Sequence, residues 1–408
     1  MADDVRVLRG RVVTPGGVLD DGAVVLDGRT IAWVGPAAAA SGAGLAAQVG
    51  AVPAPADGRY VLPGLVDLHC HGGGGASFPD AGNADDALRA VGEHRRHGTT
   101  TLVASLVTAA PRTLRERVTL LAALADAGEI AGIHLEGPFL SGARCGAQDP
   151  SLVIEPDPRL ATELLDLGRG HVATMTLAPE MDGNRGPAGV AARLIAGGAL
   201  PSWGHTDAGP AVTRAALTES VELLGRGERA RSARPTVTHL FNGMRPLHHR
   251  DPGPIAEFLA AARRGEAVLE LIGDGTHLDP SVVRAVYELV GRDNAALVTD
   301  AMAAAGMPDG EYRLGSMDVS VAGGVARLGQ GGAIAGGTAH LIDVVRATVS
   351  AGVPLADAVH MAAAVPAAVL GAGDVGALEA GRRADVVVTD ADLRPLTVYR
   401  QGQEVLTA

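Results

Sequence analysis

Lysine is missing from this chain: every one of its 34 basic residues is an arginine. Schiff-base catalysis and a pyridoxal phosphate linkage both need a lysine amine, and a P-loop needs one on its phosphates, so all three are excluded. A carboxylated lysine bridging two metal ions is excluded on the same ground. Aromatic residues are nearly as scarce, at 2%, and the formal net charge is −12. Nucleic acid calls for basic patches and stacking platforms, so it is not an expected partner. A phosphorylated small molecule survives that test, because one or two placed arginines suffice to hold it. Cysteine is limited to Cys70 and Cys145; two thiols make no disulfide framework, and a reducing, cytoplasmic setting is expected. No apolar run approaches the ~18 residues of a membrane span. The opening MADDVRVLRGRVV has neither a basic n-region nor an apolar h-region, so no secretory leader is expected.

What is present is a chain of 408 residues, 47% of them hydrophobic, long enough for a large core and more than one folding unit. The first sixty residues read as short strands between turns: VRVLRGRVVTP, GAVVLDGRTIAWVG and GRYVLPG carry β-branched residues with Asp-Gly and Pro-Gly breakers. The intervening AAAASGAGLAAQVGAV is a loop or short helix. The end of the chain, GALEAGRRADVVVTDADLRPLTVYRQGQEVL, has the same strand-and-turn character. Residues 1–62 and 378–408 are therefore expected to form one small, discontinuous β domain. Residues 63–377 alternate short apolar strands with Ala/Leu/Arg-rich amphipathic helices. The strands are LVDLH, TTTLVASL, AGIHLEG, VATMTLAP, LPSWGH, TVTHLF, VLELIGDG and AALVTDA. Eight such segments are the count of an α/β fold of the (β/α)8 TIM-barrel type, in which catalytic groups stand at the C-terminal ends of strands.

The polar residues fall at those ends: His69 and His71, Glu136, His205, His239, His277 and Asp300. Side chains alternate along a strand, so His69 and His71 present two imidazoles on one face while Cys70 points to the other. The glycines at 72–75 then allow backbone to approach a ligand closely. Any one of these residues taken alone reads as easily as a hydrogen-bonded core residue; their recurrence at successive strand ends carries the metal reading. His94, His97, His171 and His360 lie in helical or surface contexts and are expected to lack convergent partners. His134 shares a strand face with Glu136 and reads as structural or as support for a ligand. His248 and His249 belong to a loop.

The segments PGLVDLHCHGGGG, HLEGPFL, TLAPE, SWGHTDA, THLFNGMRPLHHRDPG, GDGTHLDP and VTDAMAAAG together resemble the N-acetylglucosamine-6-phosphate deacetylases of the amidohydrolase superfamily. The resemblance spans nearly the whole chain and includes GRRADVVV, similar to the family's returning β-domain strand. It implies that Glu136, His205 and His239 are metal ligands. His69 and His71 match an additional pair that some members have, which implies a second ion with Glu136 available to bridge. Asp300 matches the catalytic aspartate. Asn242, Gly243, Arg250 and His277 match substrate contacts, as do Ala147, Ile334, Ala335 and Gly336. Where many members carry a histidine shortly after EGPFL, this chain has Gln148, an uncharged hydrogen-bond donor to a sugar hydroxyl or phosphate.

The implied reaction removes the acetyl group of N-acetyl-D-glucosamine 6-phosphate, giving D-glucosamine 6-phosphate and acetate, in amino-sugar catabolism and cell-wall sugar recycling. One or two divalent ions would supply hydroxide at neutral pH, with Asp300 moving the proton and His277 sharing the carbonyl oxygen's charge. His and carboxylate ligands suit zinc foremost, and iron, manganese or cobalt as well. In the family the arginine matching Arg250 acts across a subunit boundary, so a homodimer with Arg250 in its partner's site is expected. Two rival readings are another amidohydrolase, such as a cyclic-amide hydrolase or deaminase, and a non-catalytic barrel. The EGP and HLFNGM segments speak against the first, and the intact Asp300 and ligand set against the second.

Overall fold

The computed structural model of the protein describes residues 5–55, 57–227, 229–329 and 332–405. Eight strands form one sheet in chain order: Leu65–Cys70, Thr99–Leu106, Gly132–Glu136, Val172–Leu177, Leu200–Trp203, Thr236–Val237, Val268–Leu271 and Ala295–Leu297. All neighbouring pairs are parallel. The first and last strands meet through a parallel bridge between Cys70 and Ala301, and Thr299 Oγ1 donates to Asp67 Oδ2 at 2.6 Å. The sheet is a near-closed barrel, as the strand count predicts.

Helices follow the strands and cover the barrel because their starts are written locally. Pro111, Pro158, Pro210 and Pro280 open helices at a position that needs no N–H. Asn83, Asp157 and Asp279 accept backbone N–H bonds as N-caps. Inside the barrel, strand residues are buried on both faces, and one interior layer is polar. His134 joins Ser105 Oγ (3.0 Å) to Thr176 Oγ1 (2.9 Å), which continues to Thr238 Oγ1 (2.8 Å) and Ser202 Oγ (2.6 Å). The Ser105, Thr176, Ser202 and Thr238 hydroxyls therefore all have partners, which avoids the cost of orphaning them, and this hydrogen-bonded chain floors the site above it.

A second sheet takes strands from both ends of the chain, in the order Gln403–Val405, Pro395–Arg400, Val386–Thr389, Tyr60–Pro63, Val5–Thr14, Gly17–Asp27, Thr30–Pro36. The returning Val386–Thr389 strand pairs antiparallel with Tyr60–Pro63. Val12, Val24, Leu26, Ile31, Val61 and Val386 pack together as its core. The low-information stretch after it forms a 3-10 helix, Ala37–Ala43, and a short α-helix, Ala46–Gly50.

The chain departs from simple strand–helix alternation after the eighth barrel strand. Gly310–Leu314, Met317–Ala322 and Val325–Leu328 make a three-stranded antiparallel sheet. This sheet lies outside the strand–helix pattern expected of residues 63–377, although YRLGSMDVSVAGGVARL has the alternation and glycine turns of a meander. Its apolar face, Leu314, Val319, Val321 and Ala326, packs on Val107, Met302 and Ala335, which brings Leu314 to the mouth of the barrel. Among the described residues no helix is long and apolar enough to cross a membrane.

Candidate active site

The C-terminal ends of the barrel strands converge on a cavity of about 240 Å³. His71, Glu136, Ala147, Gln148, His205, His239, Asn242, Gly243, His277, Asp300, Ile334 and Gly336 all line it. Three candidates stand elsewhere. His69 is fully buried directly beneath, and Ala335 turns into the apolar cluster under the meander. Arg250 is exposed on the loop beyond His239, its Nη1 2.8 Å from His249 Nε2; its own chain does not bring it to the cavity. Gly146, Leu314 and Ala333 also line the wall and carried no sequence signal, since nothing polar marks them.

In and directly beneath the cavity the candidate ligating atoms form two adjoining groups, Glu136–His205–His239 and His69–His71–Asp300. Glu136 Oε1 lies 3.0 Å from His205 Nε2 and 2.9 Å from His239 Nε2, and those nitrogens are 3.1 Å apart. The second carboxylate oxygen, Oε2, faces His71 Nε2 at 3.2 Å. His69 Nε2 and His71 Nε2 are 3.1 Å apart, and Asp300 Oδ1 is 3.3 and 3.2 Å from them. One carboxylate thus touches both groups.

Whether this donor set suits a cation is decided by the far sides of the rings. His69 Nδ1 lies 3.1 Å from Glu270 Oε2, His71 Nδ1 3.2 Å from Ser105 O, and His205 Nδ1 2.7 Å from Arg144 O. Each acceptor keeps the ring proton on Nδ1 and leaves the Nε2 lone pair aimed inward. Four inward nitrogens and two carboxylates with almost no water access are a costly arrangement unless a cation sits among them. Protons alone reveal the same field. Burial by itself would lower the pKa of His69, but the Asp300 charge and the Glu270 hydrogen bond push it up to about 10. Burial opposes ionisation of Glu136, yet hydrogen bonds from His205 and His239 hold it well below its usual range. Asp300 is likewise held down, by His69 and His71 against its burial. The residues fit one or two divalent ions.

Backbone geometry at these strand ends is unusual. His205, His239 and Asp300 all have positive φ, at 45°, 25° and 49°. Side-chain-bearing residues enter that region at a cost of about 1–3 kcal/mol each, and such strain gathers at functional sites. Asp300 is held there by its own N–H donating to His69 O (2.9 Å) and by Gly337 N–H donating to its carbonyl (2.7 Å). Gly243, φ 59°, is required as glycine: a Cβ would stand 2.8 Å from His205 Nδ1.

The residues that support the site carry little signal in the sequence. Glu270, Asp274 and Asp67 are partners of His69, His277 and Thr299 and were not singled out, because an acid inside a strand or turn has no distinctive spacing. Asp274 Oδ2 sits 2.8 Å from His277 Nδ1 and, against partial burial, raises the imidazole's pKa. His134 supports the floor as anticipated, kept neutral by burial and the neighbouring His69 charge. The expectation for His94 and His97 is corrected. His94 is fully buried, its Nε2 3.2 Å from Cys70 Sγ and 2.8 Å from Gly72 O. His97 converges with Glu93 and His340; helix Ala84–Arg96 turns this face inward. His171 and His360 pair with Asp126 and Asp293 near the surface.

Comparison with known proteins agrees with this geometry. Residues 60–406 match the amidohydrolase family. The chain is 34% identical, over 82% of its length and 83% of theirs, to an N-acetylglucosamine-6-phosphate deacetylase of Lysinibacillus sphaericus. It is 33% identical to an N-acetylgalactosamine-6-phosphate deacetylase of Escherichia coli O157:H7, over 85% of this chain and 88% of that one. Among solved structures it resembles a mutant N-acetyl-D-glucosamine-6-phosphate deacetylase of Mycobacterium smegmatis in complex with N-acetyl-D-glucosamine-6-phosphate. The TM-score is 0.86 and the identity 40%, covering 99% of this chain and 100% of the other.

Proposed function

The chain belongs to the amidohydrolase family, and from that premise we propose how its residues divide the work of an amino-sugar phosphate deacetylase. The reaction is hydrolysis of N-acetyl-D-glucosamine 6-phosphate to D-glucosamine 6-phosphate and acetate. Glu136, His205 and His239 would hold one divalent ion and His69 and His71 a second, with the Glu136 carboxylate within reach of both groups. Zinc is the first choice for such ligands, with iron, manganese or cobalt as substitutes. When bound, the ions supply Lewis acidity and make a hydroxide available at neutral pH.

The chain's own groups do the rest. Asp300 takes a proton from the attacking water and returns it to the sugar nitrogen as the C–N bond breaks. The water oxygen ends in acetate and its protons on the amine. His277, whose pKa the Asp274 hydrogen bond raises against burial, would donate from Nε2 to the carbonyl oxygen as negative charge develops there. Asn242, Gly243, Ala147, Ile334 and Gly336 shape the sugar pocket, and Ala335 holds its wall from behind. Arg250 of a second copy reaches the phosphate, so the working unit is a homodimer. Residues 63–377 form the catalytic barrel, 1–62 with 378–408 the β domain, and the enzyme works in the cytoplasm. Nucleic acid and membrane have no part in it.

The observation that carries this reading is the single carboxylate of Glu136 within 3.2 Å of imidazoles from both ligand groups, with Asp300 beside them. Acetate release from N-acetylglucosamine 6-phosphate, compared with the unphosphorylated sugar, tests it; equal turnover of both would remove the phosphate from the account. The second reading changes only the configuration at C4. A relative with 33% identity is named for the galactosamine epimer, and including N-acetylgalactosamine 6-phosphate in the same assay decides between them.

A further inference from the structure

Gln148 stands in the segment between the third barrel strand and the next helix, at 4% exposure. Both ends of its carboxamide are already engaged. Its Oε1 accepts the Thr108 N–H at 2.8 Å, and its Nε2 donates to Glu136 Oε2 at 2.6 Å. A flipped amide would set its NH2 against the Thr108 N–H and its oxygen against a carboxylate, so the orientation follows from the partners. Thr108 Oγ1 in turn donates to the Glu136 carbonyl at 3.1 Å. At the other end of the segment, Arg144 O faces His205 Nδ1 at 2.7 Å, and Arg144 Nε donates to Asp207 Oδ1 at 2.7 Å. The 141–149 segment is therefore fastened to two metal-ligand residues.

The carboxylate of Glu136 has one oxygen steadied by two imidazoles; the other takes its shortest contact from Gln148 at 2.6 Å, with His71 Nε2 3.2 Å away. The last torsion of a glutamate is broad and selects no single orientation. With Oε1 anchored by His205 and His239, a carboxylate freed from Gln148 pivots about that oxygen and carries Oε2 away from His71. We infer that Gln148 is a positioning residue that holds Glu136 turned toward both metal positions, and is not a contact to the sugar or its phosphate. The inference rests on the two-ion reading proposed above. It explains why an uncharged amide serves here: it donates to a carboxylate while accepting a backbone N–H, which a protonated imidazole cannot do.

The test compares wild type with Gln148→Met, similar in size but unable to donate. Each full-length protein is stripped with a chelator and titrated with zinc, reading ions per chain and the dissociation constant of each. Wild type is expected to take two. In Gln148→Met the tighter ion should keep its affinity, and the weaker should lose about 10–100-fold. KM at saturating zinc should change less than twofold. An unchanged second constant overturns the inference; so does a KM raised tenfold with zinc binding intact, the mark of a substrate contact. If wild type itself binds one zinc at saturation, the two-ion reading has failed and this inference falls with it. Should the orphaned Thr108 N–H prevent Gln148→Met from folding, Gln148→Asn must weaken the second ion too, because its amide is one methylene too short to span both partners.

Discussion

Glu270, on the seventh barrel strand, lies 3.1 Å from the Nδ1 of His69 on the first, and both side chains are almost wholly buried. The same Oε2 receives the His239 backbone N–H at 3.4 Å. One acid thereby orients a ring of one ligand group and the backbone of a residue in the other. Replacing it with Gln keeps the shape but removes the charge that sets the Nδ1 proton. Glu270→Gln should weaken zinc held by His69 and His71 about 10–100-fold, measured by competition with a metallochromic chelator. Equal affinities would show the contact to be structural only.

Replacing both His69 and His71 with Asn should lower bound zinc by one ion per chain while the Glu136 group keeps its own. Elemental analysis under zinc-replete conditions reads this directly. One ion per chain in both proteins would rule out a second metal position.

Asp300→Asn should retain zinc and lose about 10²–10⁴ in kcat, the usual worth of a general base. Near-normal turnover would mean that another group moves the proton.

Acid sensitivity should trace in part to His94. Burial and the nearby His340 charge lower its pKa to about 4, whereas an unfolded histidine titrates near 6.5. Below 6.5 the unfolded chain takes up a proton that the folded one refuses. The stabilising difference is therefore present above 6.5 and is lost as pH falls toward 4. Between pH 7.5 and 5 it amounts to about 2 kcal/mol. His94→Gln should flatten the decline by about that amount in urea unfolding at the two pH values. Identical slopes for both proteins would exclude His94 as the source.

Arg250 is tested by mixing. Arg250→Ala and Asp300→Asn chains, each nearly inactive, should recover about a quarter of wild-type activity together, because random pairing makes half the dimers mixed and each has one intact site. No recovery, or a monomer at assay concentration, removes the role in trans.

The eight barrel strands and the polar residues at their ends could be read from the chain because both obey short-range rules. A buried parallel strand is a run of apolar residues bounded by turns, and a barrel puts its chemistry at strand ends. That rule places His69, His71, Glu136, His205, His239 and Asp300 at strand ends, the family resemblance implies what each does there, and the returning β strand follows from its alternation. What the sequence could not declare is which partner each group would meet. Glu270 reaches His69 across 201 positions of chain, His340 reaches Glu93 across 247, and Gln148 turns to Glu136 although a sugar contact would suit it equally. Those pairings depend on barrel closure, which brings distant strand ends within hydrogen-bond range. Once water is excluded there, a buried donor left without an acceptor is costly. Local pattern determined which residues stand at the site; long-range packing decided what holds them.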